Sequence, residues 1–265
     1  HQSRRALWAT SAFTMEIIPN DSQAFRAAVD ALKDFLPQAQ LHIRSSGIKI
    51  SGMDTSHVGY VDYFLAADDC ATINVPAPLV IGINMPILSR TLSAVGAGDR
   101  VTISTNKSKE KLVISYTNEK LGRKAVYELN TLELDVDGME IPDSSYAATV
   151  CARTGDIAAA MKEVGNFGDT LQLCLDEDGF HVSTSGDAGR VKQTLEGTDD
   201  REMEMTEDKV EAAFGTKYLL QIMKGGSALS TTTKLEFDAN QPMRTTFRFG
   251  TGSHFLAYLA PKITE

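Results

Sequence analysis

The hydrophobic pattern of residues 24–43 recurs, without a gap, in residues 156–175. In the first stretch, AFRAAVDALKDFLPQAQLHI, Phe25, Ala28, Val29 and Leu32 fall at i, i+3, i+4 and i+7, the core stripe of a short amphipathic helix. In the second, DIAAAMKEVGNFGDTLQLCL, Ile157, Ala160, Met161 and Val164 take the same positions. Phe35 and Phe167 follow the two helices. The same spacing sets Ile43 against Leu175, Gly47 against Gly179 and Ile50 against Val182, a strand, a glycine turn and a strand. A second helix also recurs: NMPILSRTLSAVG (residues 84–96) lies opposite GTKYLLQIMKGG (residues 215–226), with Leu88, Thr91 and Leu92 against Leu219, Ile222 and Met223. Between the helices run strand-like stretches rich in β-branched and aromatic residues, among them VTIST, KLVISYTN, KAVYELN, KLEFDA, MRTTFRFG and SHFLAYLA. The pattern predicts an α+β chain made of a duplicated unit of about 130 residues, each copy with two helices packed on antiparallel sheets.

The seam between the copies reads LELDVDGMEIPD. Leu132, Leu134 and Val136 project to one side of an extended chain and Glu133, Asp135 and Asp137 to the other. Gly138 and Pro142 predict that regular pairing fails there. The expected organisation is a first domain over 15–131, a connector over 132–142 and a second domain over 143–265.

Composition adds bounds. The chain has 265 residues, 42% hydrophobic and 23% charged, enough for a sizeable core. No apolar run approaches the roughly 20 residues of a membrane helix. Cys70, Cys151 and Cys174 have no C-x-x-C spacing and lie in or beside apolar stretches, which predicts packed, reduced thiols in an intracellular protein. HQSRRALWATSAFT (1–14) precedes Met15 and holds the single Trp. It is expected to be a leader added in cloning or a native extension, and its apolar part is too broken for a signal peptide.

The net charge of −9 argues at first against nucleic acid, but the charges are not evenly spread. Arg26 and Lys33 belong to the first helix, Arg90 to the second, Lys162 to the third, and Lys217 and Lys224 to the fourth. The seven-residue separations within the first and fourth place each pair on one face, opposite the apolar stripe. Acids crowd the turns AADDC, LDEDG and GTDDRE and the seam. A solvated polar face also satisfies this pattern, and Asp30, between Arg26 and Lys33, favours it.

Three segments in order, SSGIKISGMDTSHVGYV, LELDVDGMEIPDSSY and YLAPKITE, resemble the eukaryotic-type DNA polymerase sliding clamps, the proliferating cell nuclear antigen family, with this chain a divergent member. The resemblance implies the DNA-clamp fold: three subunits in a ring, helices lining a hole and sheets outside. It implies that Arg26, Lys33, Arg90, Lys162, Lys217 and Lys224 face duplex DNA and touch phosphates without reading bases, so that binding is sequence-independent. It also implies a groove for short peptides of polymerase, clamp loader and repair proteins, typically a Gln followed by an aliphatic and two aromatic residues. Met53, His57, Val58 and Tyr60 would form its floor, Leu132, Leu134, Met139 and Ile141 the connector side, and Pro242, Tyr258, Ala260, Pro261 and Ile263 the remaining wall. Ring closure would join GRKAVYELN of one subunit (Lys124, Val126, Tyr127) to GRVKQTLE of the next (Val191, Gln193, Leu195). Nuclear localisation, or a viral replication site, follows from the same resemblance, with no cofactor and no metal.

Departures from the family pattern carry their own expectations. Glu177 stands where the family carries a ubiquitin-accepting lysine. Ala27 and Ser93 replace basic residues of the hole, and Asn166 replaces a frequent His. Tyr60, Met139 and Gln241 replace commoner apolar residues at the groove.

Enzyme readings find little support. DEDG lacks the downstream ligands of a calcium loop, GTGS lacks a strand-to-helix phosphate context, and no catalytic constellation stands out. The open alternatives are other binding proteins: a subunit of a heterotrimeric or checkpoint-type clamp, or a monomeric or dimeric processivity factor.

Overall fold

Asp21 and Asn84 start the first two helices by the same device, a side-chain oxygen that accepts the amide three residues on (Ala24 N and Ile87 N, 2.9 Å each). The computed structural model describes residues 15–106, 108–135 and 138–263. The leader expectation and the Val136 and Asp137 alternation lie outside the described residues.

The first set of elements is β1 (Met15–Pro19), α1 (Ser22–Leu32), β2 (Gln38–Arg44), β3 (Gly47–Met53), β4 (Gly59–Ala66), β5 (Cys70–Asn74), β6 (Leu79–Asn84), α2 (Met85–Leu92), β7 (Arg100–Thr105), β8 (Lys111–Asn118) and β9 (Arg123–Asn130). The second set repeats the order: β10 (Ala148–Arg153), α3 (Thr154–Gly165), β11 (Thr170–Asp176), β12 (Gly179–Gly186), β13 (Gly189–Leu195), β14 (Glu202–Met205), β15 (Lys209–Gly215), α4 (Thr216–Leu229), β16 (Thr232–Phe237), β17 (Met243–Phe249) and β18 (Ser253–Leu259). The duplication read from the hydrophobic pattern therefore extends to every one of these elements.

The sheets reveal how the copies join. A five-stranded sheet, β5-β1-β7-β8-β9, and a four-stranded one, β13-β12-β11-β15, each belong to a single copy. Their counterparts, β14-β10-β16-β17-β18 and β4-β3-β2-β6, are fused into one nine-stranded sheet. The fusion is the antiparallel pair of β18 with β4, where Phe255 opposes Tyr63, Ala257 opposes Val61 and Leu259 opposes Gly59. In the described residues β9 and β13, the counterparts of β18 and β4, each end a sheet with one edge unpaired.

The helices pack against the sheets. Phe25, Val29 and Leu32 of α1 and Ile157, Met161 and Val164 of α3 are buried in one continuous core with Leu41, Ile43, Ile48 and Ile50 and with Leu171, Leu173 and Leu175. α4 packs on α1 and α3, so the helices as well as the central sheet cross between the copies. Gly225 makes the approach to α1 possible, and Gly226 lets α4 lie against β17. A Cβ on Gly226 would lie 2.0 Å from the Phe247 ring, and one on Gly225 2.7 Å from Ala31 Cβ.

Among the described residues the seam forms no strand. Its one bridge sets Leu132 opposite Gly82 of β6, with the Leu132 amide donating to the Gly82 carbonyl at 2.8 Å. The Gln40 side chain donates to the Leu134 carbonyl, also at 2.8 Å. Among the described residues the Leu132 bridge is the seam's last strand-like pairing before Gly138.

Candidate functional site

A tight loop between β3 and β4 builds the floor of an apolar cleft. Asp54 is almost fully buried, and its carboxylate accepts the amides of Ser56, Val58 and Gly59 at 3.1, 2.8 and 2.8 Å. The backbone of His57 takes the left-handed conformation, φ 57°, inside this loop. The loop presents Met53, His57, Val58 and Tyr60 on one side of a cavity of about 370 Å³. Met139, Ile141 and Pro142 of the connector form the opposite side, and Gln241, Pro242, Tyr258 and Ala260 close it. The Tyr60 and Tyr258 rings, 6.2 Å apart and tilted, sit between the two halves of the central sheet.

Of the groove residues expected from sequence, nine line this cavity: Met53, His57, Val58, Tyr60, Met139, Ile141, Pro242, Tyr258 and Ala260. Leu132 and Leu134 lie elsewhere, at the edge of β6, where the Leu134 side chain and the Leu132 carbonyl crowd Gly82. The tail also turns away. Ala260 still donates its amide to the Val58 carbonyl at 2.9 Å, but Lys262 donates its own to Ala213 of β15 at 2.7 Å. That turn takes Pro261 out of the lining and leaves Ile263 93% exposed.

Sequence reasoning did not assign Glu140, Pro142, Ser144 or Tyr146, all of which line the cavity. Tyr146 is held by Arg244, whose guanidinium lies 5.3 Å from its ring centre. Arg244 in turn grips Glu236 with two hydrogen bonds of 2.7 and 3.0 Å. Burial opposes ionisation of Glu236, yet the hydrogen bonds from Arg244 and Lys234 outweigh it and hold the carboxyl below its ordinary range. Burial also pushes the Tyr146 phenol up to about 12. The only sequence signal for Tyr146 was its place just after the Ile-Pro break.

The helix-borne cations divide into two groups. Arg26 donates to the Val95 carbonyl at 2.7 Å, which ties α1 to the end of α2. Lys33 meets the Asp30 carboxylate at 2.5 Å, and Lys224 approaches the same carboxylate at 3.9 Å from α4. Ser89 of α2 donates to it as well, at 3.1 Å. The Lys33 hydrogen bond is the largest of the causes that hold Asp30 below the usual carboxylate range, against a smaller cost of burial. Arg90, Lys162 and Lys217 are exposed and make no ion pair among the described residues. Ala27 and Ser93 line a shallow hollow between α1 and α2 beside Arg26 and Asp30.

The two unpaired edges carry exposed apolar surface. On β9, Val126 is 49% exposed and Tyr127 36%, and Lys124 lies beside them in solvent. On β13, Val191, Gln193 and Leu195 are half-buried on one face. Tyr127 is fixed from within, its hydroxyl 3.1 Å from that of Tyr116, whose ring carries the Arg123 guanidinium at 4.9 Å. Cys70 and Cys151 are half-buried and Cys174 buried, and burial raises all three thiols, Cys70 to about 11. Glu177 is exposed at the turn between β11 and β12. Among the described residues no helix is long and apolar enough to cross a membrane, and no three His, Cys, Asp or Glu are grouped to hold a metal ion.

Comparison with known proteins gives a consistent result. The family model of the proliferating cell nuclear antigen N-terminal domain matches residues 15–140, and that of its C-terminal domain matches residues 140–262. The two models meet inside the connector. A proliferating cell nuclear antigen from Chaetomium thermophilum is 27% identical over 247 residues, which is 91% of this chain and 95% of that protein.

Proposed function

The chain belongs to the proliferating cell nuclear antigen family, the sliding clamps of DNA replication and repair, and on that premise we propose that three copies close head to tail into a ring around duplex DNA. The observation that carries this reading is the inequality of equivalent edges. β18 and β4 are joined within the chain, while β9 and β13, their counterparts, are open. Transposing the internal register to the open edges sets Tyr127 opposite Val191 and Ala125 opposite Gln193 of the next subunit. Such a joint covers exposed strand edges, and identical head-to-tail joints close into a ring when the rotation allows it.

In that ring the helices face inward. Arg90, Lys162 and Lys217 supply the freely available positive charge for phosphates, supported by Arg26, Lys33 and Lys224. The attraction is sequence-independent and weakens with salt, as suits a protein that slides. The cavity between the Asp54 loop and the connector takes the aliphatic and aromatic anchors of partner peptides, with Met139, Ile141 and the Tyr60–Tyr258 pair as its apolar walls. The partners are polymerase, clamp loader and repair proteins carrying such a motif, and the site of action is the nucleus or a viral replication site. The role is tethering rather than catalysis.

Light scattering coupled to size exclusion tests the assembly. The expected mass is three times the 28.8 kDa of one chain, and a stable monomer at micromolar concentration overturns the ring.

A further inference from the structure

Next to the peptide cavity, and sharing Tyr60, Met139 and Glu140 with it, the outer face of β2, β3 and β4 holds a larger concavity of about 570 Å³. His42 and Arg44 of β2 and Lys49 of β3 line it, together with Ser46, Ser51 and Phe64. The strand alternation puts them there: Ile43, Ile48 and Ile50, on the opposite face, are buried in the core. His42 and Lys49 are directly opposed across β2 and β3, and Lys49 is opposed to Phe64 across β3 and β4.

Arg44 and Lys49 bring positive charge to this wall in a chain of net charge −9. Two carboxylates stand nearby. Asp62 is reached by Lys49 at 3.0 Å and by His254 at 3.6 Å, and Glu140 sits on the rim between the two cavities. Arg44 has no ion pair among the described residues and is exposed. His42 is held below the ordinary imidazole range first by burial and then by the positive charges of Lys49 and Arg44. An anion placed here meets Arg44, which has no carboxylate partner among the described residues, and offsets the positive charge around His42. The hydroxyls of Ser46 and Ser51 add neutral donors, and Phe64 and Tyr60 give the concavity an apolar back wall.

We infer that this concavity receives an anionic side chain, a carboxylate or a phosphate, that flanks the aromatic anchors of a peptide seated in the adjoining groove. The inference rests on the groove reading above and adds a charge rule to it. A peptide that fills both cavities gains the second interaction intramolecularly, whereas a lysine-rich flank at the same place meets Arg44 and Lys49 and is disfavoured.

Fluorescence anisotropy on the full chain tests the rule with labelled peptides carrying a Gln-aliphatic-aromatic-aromatic motif. One peptide is bare, others carry three glutamates before or after the motif, and a matching set carries phosphoserines. The expected result is that one of the two flank positions tightens binding about five- to tenfold at low salt, more with phosphoserine, and that the gain shrinks as salt rises. Arg44→Glu is expected to abolish the gain while leaving the bare peptide unchanged, and Lys49→Gln to reduce it. No gain from either flank, a gain that survives both substitutions, or an equal loss for bare and acidic peptides overturns the inference and leaves the groove reading standing. A bare peptide that does not bind at all overturns the groove reading and this inference with it. A single-stranded oligonucleotide that displaces the acidic peptide but not the bare one assigns the concavity to nucleic acid and overturns it as well.

Discussion

Phe35 and Phe167 follow equivalent helices, and only the first is covered. Phe35 is 2% exposed and lies beneath Gly59, at the β18–β4 joint, while Phe167 is 52% exposed, its carbonyl beside Gly186, the β12 residue that pairs with Gly189 of the edge strand β13. Phe167→Ala is therefore expected to leave the isolated chain's fold and melting intact and to raise the dissociation constant of the assembled ring about tenfold or more. Light scattering across a dilution series checks it, and an unchanged assembly puts Phe167 outside the joint.

Asp30 limits the free positive charge of the helices, because one carboxylate serves Lys33, Lys224 and the Ser89 hydroxyl. Asp30→Asn is expected to tighten duplex binding and steepen its salt dependence. Replacing Arg90, Lys162 or Lys217 with Ala is expected to flatten the slope of log affinity against log salt by about 0.9 for each phosphate that is no longer neutralised. Anisotropy of a labelled duplex over a salt series measures both, and equal slopes for all variants place these residues away from DNA.

Groove and seam residues separate by experiment. Met139→Ala or Ile141→Ala is expected to weaken an anchored peptide about tenfold, whereas Leu132→Ala, at the β6 edge, changes its affinity less than about twofold. A larger effect of Leu132 returns it to the groove.

Gly82→Ala tests the anchoring of the connector, since a Cβ there would stand 2.2 Å from the Leu132 carbonyl oxygen. The expected cost is about 1–3 kcal/mol, read as a lower melting temperature, together with weaker peptide binding as the connector shifts. Unchanged stability and binding show that the Leu132 bridge is dispensable.

The Glu236–Arg244 pair gives a pH dependence. The folded state holds Glu236 below its ordinary value of 4.5, so this pair stabilises the fold fully above that value. The contribution is lost as pH falls through the lower folded value. Glu236→Gln is expected to lower the melting temperature at neutral pH, with the gap to the parent narrowing as pH falls below 4.5. A gap that is constant down to pH 3 removes the ion pair as its cause.

Much of this fold was legible because helix and strand periodicities repeat at a fixed spacing; Phe25 and Ile157, or Ile50 and Val182, carry the duplication in their pattern alone. Which copy pairs with which was not legible. Alternation tells Ala257 which way to face, but nothing in it names Val61 as the opposite residue. Leu132 and Leu134 read correctly as one face of an extended segment, yet their destination depended on Gly82, a missing side chain some fifty residues earlier that leaves room for the connector. Five of the six cations read correctly as helix-borne, while Lys33 caps α1 just past its last residue; Asp30's three partners come from α2, α4 and that cap, an arrangement only packing creates. Tyr146 stayed unassigned because its holder, Arg244, lies far away in sequence.

In the proposed ring the connector also sets the response to dilution. By tying β18 to β4 within one molecule, it gives that joint an effective concentration on the order of millimolar, which no dilution of the protein changes. The joint between β9 and β13 has no such tether and follows mass action. In the proposed ring, alternate seams are thus permanent and conditional.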